Sequence, residues 1–457
     1  MKRPVTIVGA GLAGSEAAIQ LAQRGINVVL YEMRPVHGTD VHKTAECAEL
    51  VCSNSLKSMK ADSAAGMLKR ELKELGSILY AKALEHAVPA GGALAVDRDM
   101  FARSVTSFIE EHPLIELRRK EVTGLKDIAR ESRAVILATG PLTSDGLAES
   151  LSRLVGDYLA FYDAAAPIVM ADSLDASILF RQSRYENASD ASGNAMGDYL
   201  NAPFTKEEYE RFIDELLTAE RVIAKDFESK DLFQACQPIE EIARSGRDAP
   251  RFGPLKPVGL TDPRTGRRPW AALQLRAEDA DGTCYNLVGF QTNLKFGEQQ
   301  RVFRMVPGLE RADFARFGVM HRNTFVDAPR LLDMHLRLRS DAAEGLGIPI
   351  YVAGQLGGTE GYCEAIRSGL HVAICAYGDI TGASVPELPR EMAFGALLSH
   401  ATDSETKDYQ PMHVNFGVMP PLVPPVRNKR ERYAAYAERG AIALARYRSQ
   451  LESADLI

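Results

Sequence analysis

Residues 4 to 9 (PVTIVG) are a short β-branched run. The Gly-rich turn after it opens into AGSEAAIQLAQRG, where Ala, Leu and Ile recur at helical spacing until Gly25. A second apolar run, Val28 to Tyr31, follows at once. Strand, turn, helix and strand within about thirty residues make the βαβ unit of a parallel sheet. Helical patterning returns from Ala61 to His86. RAVILATG at 133–140 is a continuous apolar run closed by Gly, as a strand covered on both faces requires. A third such run, PIYVAG at 349–354, leads into QLGGTEGY and the helix-like AIRSGLHVAICAY.

The middle of the chain is patterned differently. A helical stretch near Lys206 to Lys225 precedes a Pro/Gly/Arg-rich segment. Alternating runs at Pro269 to Arg276 and Cys284 to Gln291 are then joined by the turn-forming Asp281-Gly282. That pattern predicts an antiparallel insertion. The Pro-rich 420–425 segment reads as a linker to a final helix rich in Ala and Arg.

Composition narrows the class. The 457 residues carry 54 basic and 61 acidic side chains, a net charge of −7, and 46% are hydrophobic. A chain of that size and balance supports a large folded core, which excludes disorder, collagen and coiled coil as descriptions of the whole. No run approaches the roughly 18 to 20 apolar residues of a spanning helix. The N-terminus reads as a strand and Gly-rich turn, so a cytoplasmic protein without membrane contact is expected. The six cysteines show no zinc spacing and are too sparse for a disulfide scaffold, so no metal site is expected. Basic residues cluster against the global charge: Arg244 to Arg268 and Arg427 to Arg448 each hold seven Lys/Arg and two acids. These are candidate polyanion contacts.

Gly9-x-Gly11-x-x-Gly14 sits between the first strand and first helix, and Glu32 closes the second strand eighteen positions after Gly14. The first glycine permits the tight turn, the second lets backbone approach a pyrophosphate, and the third lets helix pack on strand. The helix N-terminus supplies amides to the anion and the acid holds ribose hydroxyls. An acid at that place disfavours a 2′-phosphate. Two further loops, Ala138-Thr139-Gly140 and Gly354 to Gly361, favour FAD over NAD, because so long a cofactor needs several strand ends. The predicted dinucleotide contacts are Gly9, Ala10, Gly11, Leu12, Ala13, Gly14, Glu32, Arg34, Gly140, Gly354 and Gly361.

The fold expected is α/β, a Rossmann-like FAD-binding domain with an inserted α+β domain. Residues 1–155 form the first part of the FAD domain and 156–309 the insertion, with elements facing a polyanion or other substrate. Residues 310–425 form the return, and 426–457 a C-terminal basic helix. Cys52, among the loop formers Ser53, Asn54 and Ser55, and Cys236, in a polar insertion, are the candidate reactive thiols. Cys284, Cys363 and Cys375 fall in strand or helix patterns as small core residues. Arg264, Arg267 and Arg268 on a turn, with Lys429 in the tail, are candidate phosphate contacts. Tyr362 is a candidate for stacking on a ring.

The blocks VTIVGAGLAGSEAAIQLAQRGINVVLYEMRP, AELVCSNSLKS, VPAGGALAVDRD, ILATGPLTSD, RFGPLKPVGL and YNLVGFQTNLKFGEQQRVFRMVPGLE resemble the TrmFO family, folate- and FAD-dependent tRNA (uracil-5-)-methyltransferases related to the GidA/MnmG flavoproteins. The resemblance runs from about residue 4 to 425. It implies methylation of carbon 5 of a T-loop uridine (position 54) of tRNA. The carbon donor is 5,10-methylenetetrahydrofolate and the reductant FADH2 regenerated by NAD(P)H. By residue match it makes Cys52 and Cys236 the two functional cysteines. One adds to uracil C6, and the other accepts a proton or shields the flavin. Three alternatives remain open at this point: the same chemistry on a uridine of 23S rRNA, a MnmG-like modification of a wobble uridine, and a plain FAD-dependent oxidoreductase.

Overall fold

The computed structural model describes residues 3–39, 41–155, 159–184, 197–222, 237–277, 282, 284–339, 346–406, 409 and 411–457. The nucleotide domain is built on a parallel sheet. Its order is Ile350–Val352, Ala134–Leu137, Val5–Val8, Val28–Glu32 and Ile115–Arg119, with Val5 opposite Val28 and Ala134. Val5–Val8 and Ala134–Leu137 are fully buried, which is why both read as continuous apolar runs.

Two helices meet above that sheet. Leu12–Gln23 follows the first strand and Tyr362–Thr381 follows the last described one. They lie backbone against backbone at Gly369, where a Cβ would collide with the Ala13 carbonyl. The close approach brings both N-termini to the same end of the sheet, the carboxyl ends of its strands. In doubly wound folds ligands bind there.

The helical pattern from Ala61 to His86 is two helices, Ala64–Glu74 and Ile78–Glu85. Gly76 at φ +74° breaks the first, and the Ser77 side chain caps the second by accepting from the Tyr80 amide. Ser55, expected as a loop former, instead opens a strand, Ser55–Ser58, paired with Ala93–Val96.

The insertion is a mainly antiparallel sheet with helices. Its strand order is Phe180–Arg181, Tyr199–Phe204, Ala271–Ala277, Cys284–Leu287, Ile168–Met170 and Phe314–Arg316. Helix Lys206–Thr218 covers it, burying Phe212 against Phe204 and Phe290. Phe314–Arg316 still pairs with Ile168–Met170, so the insertion continues past residue 309. The chain crosses back along an antiparallel ribbon, Leu159–Ala165 with Val319–Phe325. The C-terminal helix, Lys429–Ser453, is not an appendage: Tyr436, Leu444, Tyr447 and Leu451 are buried in the core of the nucleotide domain. Among the described residues no helix is long and apolar enough to cross a membrane.

Candidate active site

Two adjoining hollows run along the carboxyl ends of the parallel strands, of about 560 and 1440 Å³ and open to solvent. They share Gly11, His42, Ala138, Thr139 and Leu142, so they form one elongated cleft. The smaller ends at Lys120, Glu121 and Val122, and the larger reaches Cys52, Gly354, Gly361 and Tyr362. Its length suits an extended dinucleotide better than a compact ligand.

The glycine loop divides its work by position. Gly9 holds φ +99°, and a Cβ there would press on the Ala138 carbonyl. A Cβ on Gly14 would collide with the Gly9 carbonyl, so Gly14 sets the packing of helix on strand. At Gly11 an added Cβ meets no protein atom within 4 Å, which leaves cleft space for a ligand. Gly11 is also the N-cap of Leu12–Gln23 and offers no side-chain cap, so the first amides of that helix remain for an anion. These features fit a pyrophosphate. Leu12 and Ala13 line the larger hollow, whereas Ala10 acts through its backbone.

Glu32 lies at the expected place, buried at the end of its strand. Its Oε2 accepts from the Ala10 amide at 3.0 Å, and its Oε1 from Arg34 Nε at 2.8 Å and the Arg34 amide at 3.1 Å. Burial alone would push its carboxyl up. The Arg34 guanidinium, with the amides of Arg34 and Ala10, outweighs that and holds it below the usual carboxylate range. Arg34 is itself tied at 2.9 Å to Glu49. The acid is therefore fixed as an anion facing the smaller hollow.

Cys52 is half-buried on the wall of the larger hollow. Tyr362 Oη lies 3.1 Å from its Sγ and accepts from the amides of Cys52 and Ser53 at 2.9 and 3.1 Å. Three guanidiniums hold the loop that carries it. Arg98 Nη1 donates to the Leu50 carbonyl at 3.0 Å, Arg316 Nη1 to the Val51 carbonyl at 2.8 Å, and Arg276 Nε to Asn54 Oδ1 at 2.6 Å. The last two come from the insertion sheet, so the insertion fixes the cysteine's position. Cys363 also lines the cleft but is buried, and burial pushes its thiol up to about 11. A thiol so raised makes a poor nucleophile.

Gly140, Gly354 and Gly361 all line the larger hollow. Arg264, Arg267 and Arg268 lie outside it, on the turn where Asp262 bridges to Arg267. Arg264 is forked onto Asp262 by Nε at 3.0 Å and Nη2 at 2.8 Å, so it is a weaker phosphate candidate than its neighbours. Arg267 and Arg268 are exposed and make no ion pair among the described residues. Lys429 opens the C-terminal helix with its ammonium 5.5 Å from the Tyr433 ring. Cys236 lies outside the described residues. Ile239, three positions later, donates its amide at 2.8 Å to the carbonyl of Gln291, which lines the cleft. Cys284 is half-buried at the start of its strand rather than a core residue.

Sequence reasoning missed His42, Glu49, Gln291, Gln355 and Glu364 as cleft residues, and Arg98, Arg276 and Arg316 as supports for the Cys52 loop. Only Glu364 carried a local signal, an acid in the first turn of a helix that follows a glycine loop.

The family profile of glucose inhibited division protein A matches residues 4–384. Methylenetetrahydrofolate–tRNA-(uracil-5-)-methyltransferase TrmFO of Synechococcus sp. is 51% identical over 446 residues, 97% of this chain and 95% of its own length. TrmFO of Geobacter sulfurreducens is 51% identical over 445 residues, 97% and 98% of the two chains. Aquifex aeolicus GidA superposes with a TM-score of 0.69 at 15% identity, over 99% of this chain and 79% of that one, a likeness of fold. With half of its residues shared from end to end, this chain belongs to the TrmFO family of GidA-related proteins.

Proposed function

We propose that the protein methylates carbon 5 of a uridine in the T-loop of tRNA, with 5,10-methylenetetrahydrofolate as carbon donor, FAD as cofactor and NAD(P)H as reductant. The reading rests on one observation above all: Cys52 lines the same cleft that the dinucleotide loops line. The family relatives, named for this reaction, support it.

The chemistry asks for that neighbourhood. Uracil C5 is a weak nucleophile until a sulfur adds at C6, when the C5–C6 π pair moves into an enolate ending on O4. The carbon then joins C5, a base takes the C5 proton, and the sulfur leaves. A reduced FAD bound there would supply the hydride needed to bring a folate methylene to the methyl level. Cys52 takes one of the two sulfur roles, adding at C6 or accepting the proton, and Cys236 the other. The first-helix amides and Gly11 would hold the cofactor's pyrophosphate, Glu32 its ribose, and the strand-end loops at Gly140 and Gly354 its remaining length. Arg267 and Arg268 meet RNA phosphates.

The test is nucleoside mass spectrometry after incubating FAD-loaded protein with a tRNA transcript, the folate and NADPH. 5-Methyluridine in the T-loop is expected. Product on 23S rRNA fragments and none on tRNA would replace the substrate; none on either would remove the reading.

A further inference from the structure

We infer that Tyr362 is a positioning residue for Cys52, its hydroxyl donating a hydrogen bond to Sγ and supporting negative charge there. The inference rests on the reading of Cys52 as a reacting sulfur.

The direction of that hydrogen bond follows from the other two. Tyr362 Oη takes N–H donors from Cys52 at 2.9 Å and Ser53 at 3.1 Å, which occupy its acceptor side. Its own proton then has Sγ, at 3.1 Å, as acceptor. The residues stand 310 positions apart, so the fold brings them together. Gly361 at φ +112° turns the chain so that Tyr362, the first residue of its helix, lies against the cysteine loop.

The hydroxyl remains a donor throughout the working pH range. Burial first, and then the charge of Cys52, push the phenol well above its ordinary value, with Arg98 opposing. Arg98 also braces the loop through the carbonyls of Leu50 and Val51. Hydrogen bonds to charged acceptors are the strong ones, so this bond strengthens as sulfur becomes anionic. In either role open to Cys52 the anion is the form that acts. Adding at C6, sulfur donates its electron pair to form the S–C bond; leaving, it takes that pair back and regains the Tyr362 hydrogen bond.

A ring that only stacks on a neighbour needs no hydroxyl, and Tyr362→Phe separates the two roles. The experiment follows alkylation of Cys52 by iodoacetamide in the FAD-loaded full chain, by peptide mass spectrometry, across roughly pH 6 to 10 to bracket the ordinary thiol range. FAD absorbance and the thermal midpoint are read in parallel. Loss of the hydrogen bond should raise the alkylation midpoint by about one to two pH units, with FAD retained. Replacing Tyr362 by 3-fluorotyrosine, a stronger donor, should lower the midpoint below that of the unmodified protein and keeps the question answerable if the Phe variant folds poorly. An unchanged midpoint in the folded variants would overturn the inference. Normal methylation by Cys52→Ala would instead remove the reacting-sulfur reading while leaving the alkylation result to stand or fall separately.

Discussion

Asn54 is fully buried and joins the nucleotide domain to the insertion: its Oδ1 accepts from Arg276 Nε at 2.6 Å and its Nδ2 donates to the Ala277 carbonyl at 2.8 Å. Two positions from Cys52, it fixes the cysteine loop to a strand from the other domain. Asn54→Ala removes an acceptor from the buried Arg276 guanidinium and a donor from the half-buried Ala277 carbonyl. The expected loss is about 1–3 kcal/mol of stability. Methylation falls while FAD stays bound, because the glycine loop is untouched. Urea unfolding and flavin absorbance check it; an unchanged midpoint with full turnover would contradict it.

The glycine loop separates binding from folding. Gly11→Ala meets no protein atom, so the apoprotein should melt near the parent temperature while FAD affinity drops at least tenfold, since the methyl group enters cofactor space. Gly14→Ala forces helix from strand and should destabilise the apoprotein itself by roughly 1–3 kcal/mol or more. Flavin titration and thermal melts of both apoproteins distinguish them; equal effects on both readouts would refute the division.

His371 sets an acid limit on stability. Burial, then Arg367 and His335, pull its imidazole down to about 3, while its bond to the Met334 carbonyl opposes them. The folded chain thus keeps it neutral, whereas the unfolded chain takes up a proton below about pH 6.5. Its contribution is present above that value and is lost as pH falls toward about 3, at up to about 1.4 kcal/mol per pH unit. His371→Gln should flatten this dependence, read as the difference between the two proteins' denaturation midpoints at neutral and mildly acidic pH. Parallel curves would contradict the assignment.

The Arg-rich turn gives a graded prediction for RNA. Arg267→Ala and Arg268→Ala should each weaken tRNA binding and reduce the salt slope by about 1 if each neutralises one phosphate. Arg264→Ala should do less, because that guanidinium is already forked onto Asp262. Filter binding at several salt concentrations measures the slopes. A larger effect at Arg264 than at Arg267 would reverse the argument.

The nucleotide loop was legible because its determinants are local. Gly9, Gly11, Gly14 and Glu32 lie on one strand-helix-strand unit, where spacing alone implies geometry. The wall around Cys52 was legible only as separate names. Nothing near Cys52 in sequence announces Tyr362, Arg276 or Arg316, because those contacts are made between elements hundreds of residues apart. The break at Gly76 was hidden by apolar periodicity that continues on both sides of it. The docking of the C-terminal helix was masked by Arg and Glu on its exposed face, while its buried stripe rests on widely spaced Tyr and Leu. The end of the insertion was misplaced because Phe314–Arg316, three residues long, is too short to show a period.

The central claim is that a folate carbon reaches tRNA uridine with the help of Cys52. Supplying methylenetetrahydrofolate labelled with carbon-13 in its methylene, together with NADPH and tRNA, and weighing the nucleosides released from the T-loop tests it most directly. Heavy 5-methyluridine is expected from the parent protein and none from Cys52→Ala, although that variant remains yellow with FAD. Unlabelled 5-methyluridine, or full labelling by Cys52→Ala, would contradict it.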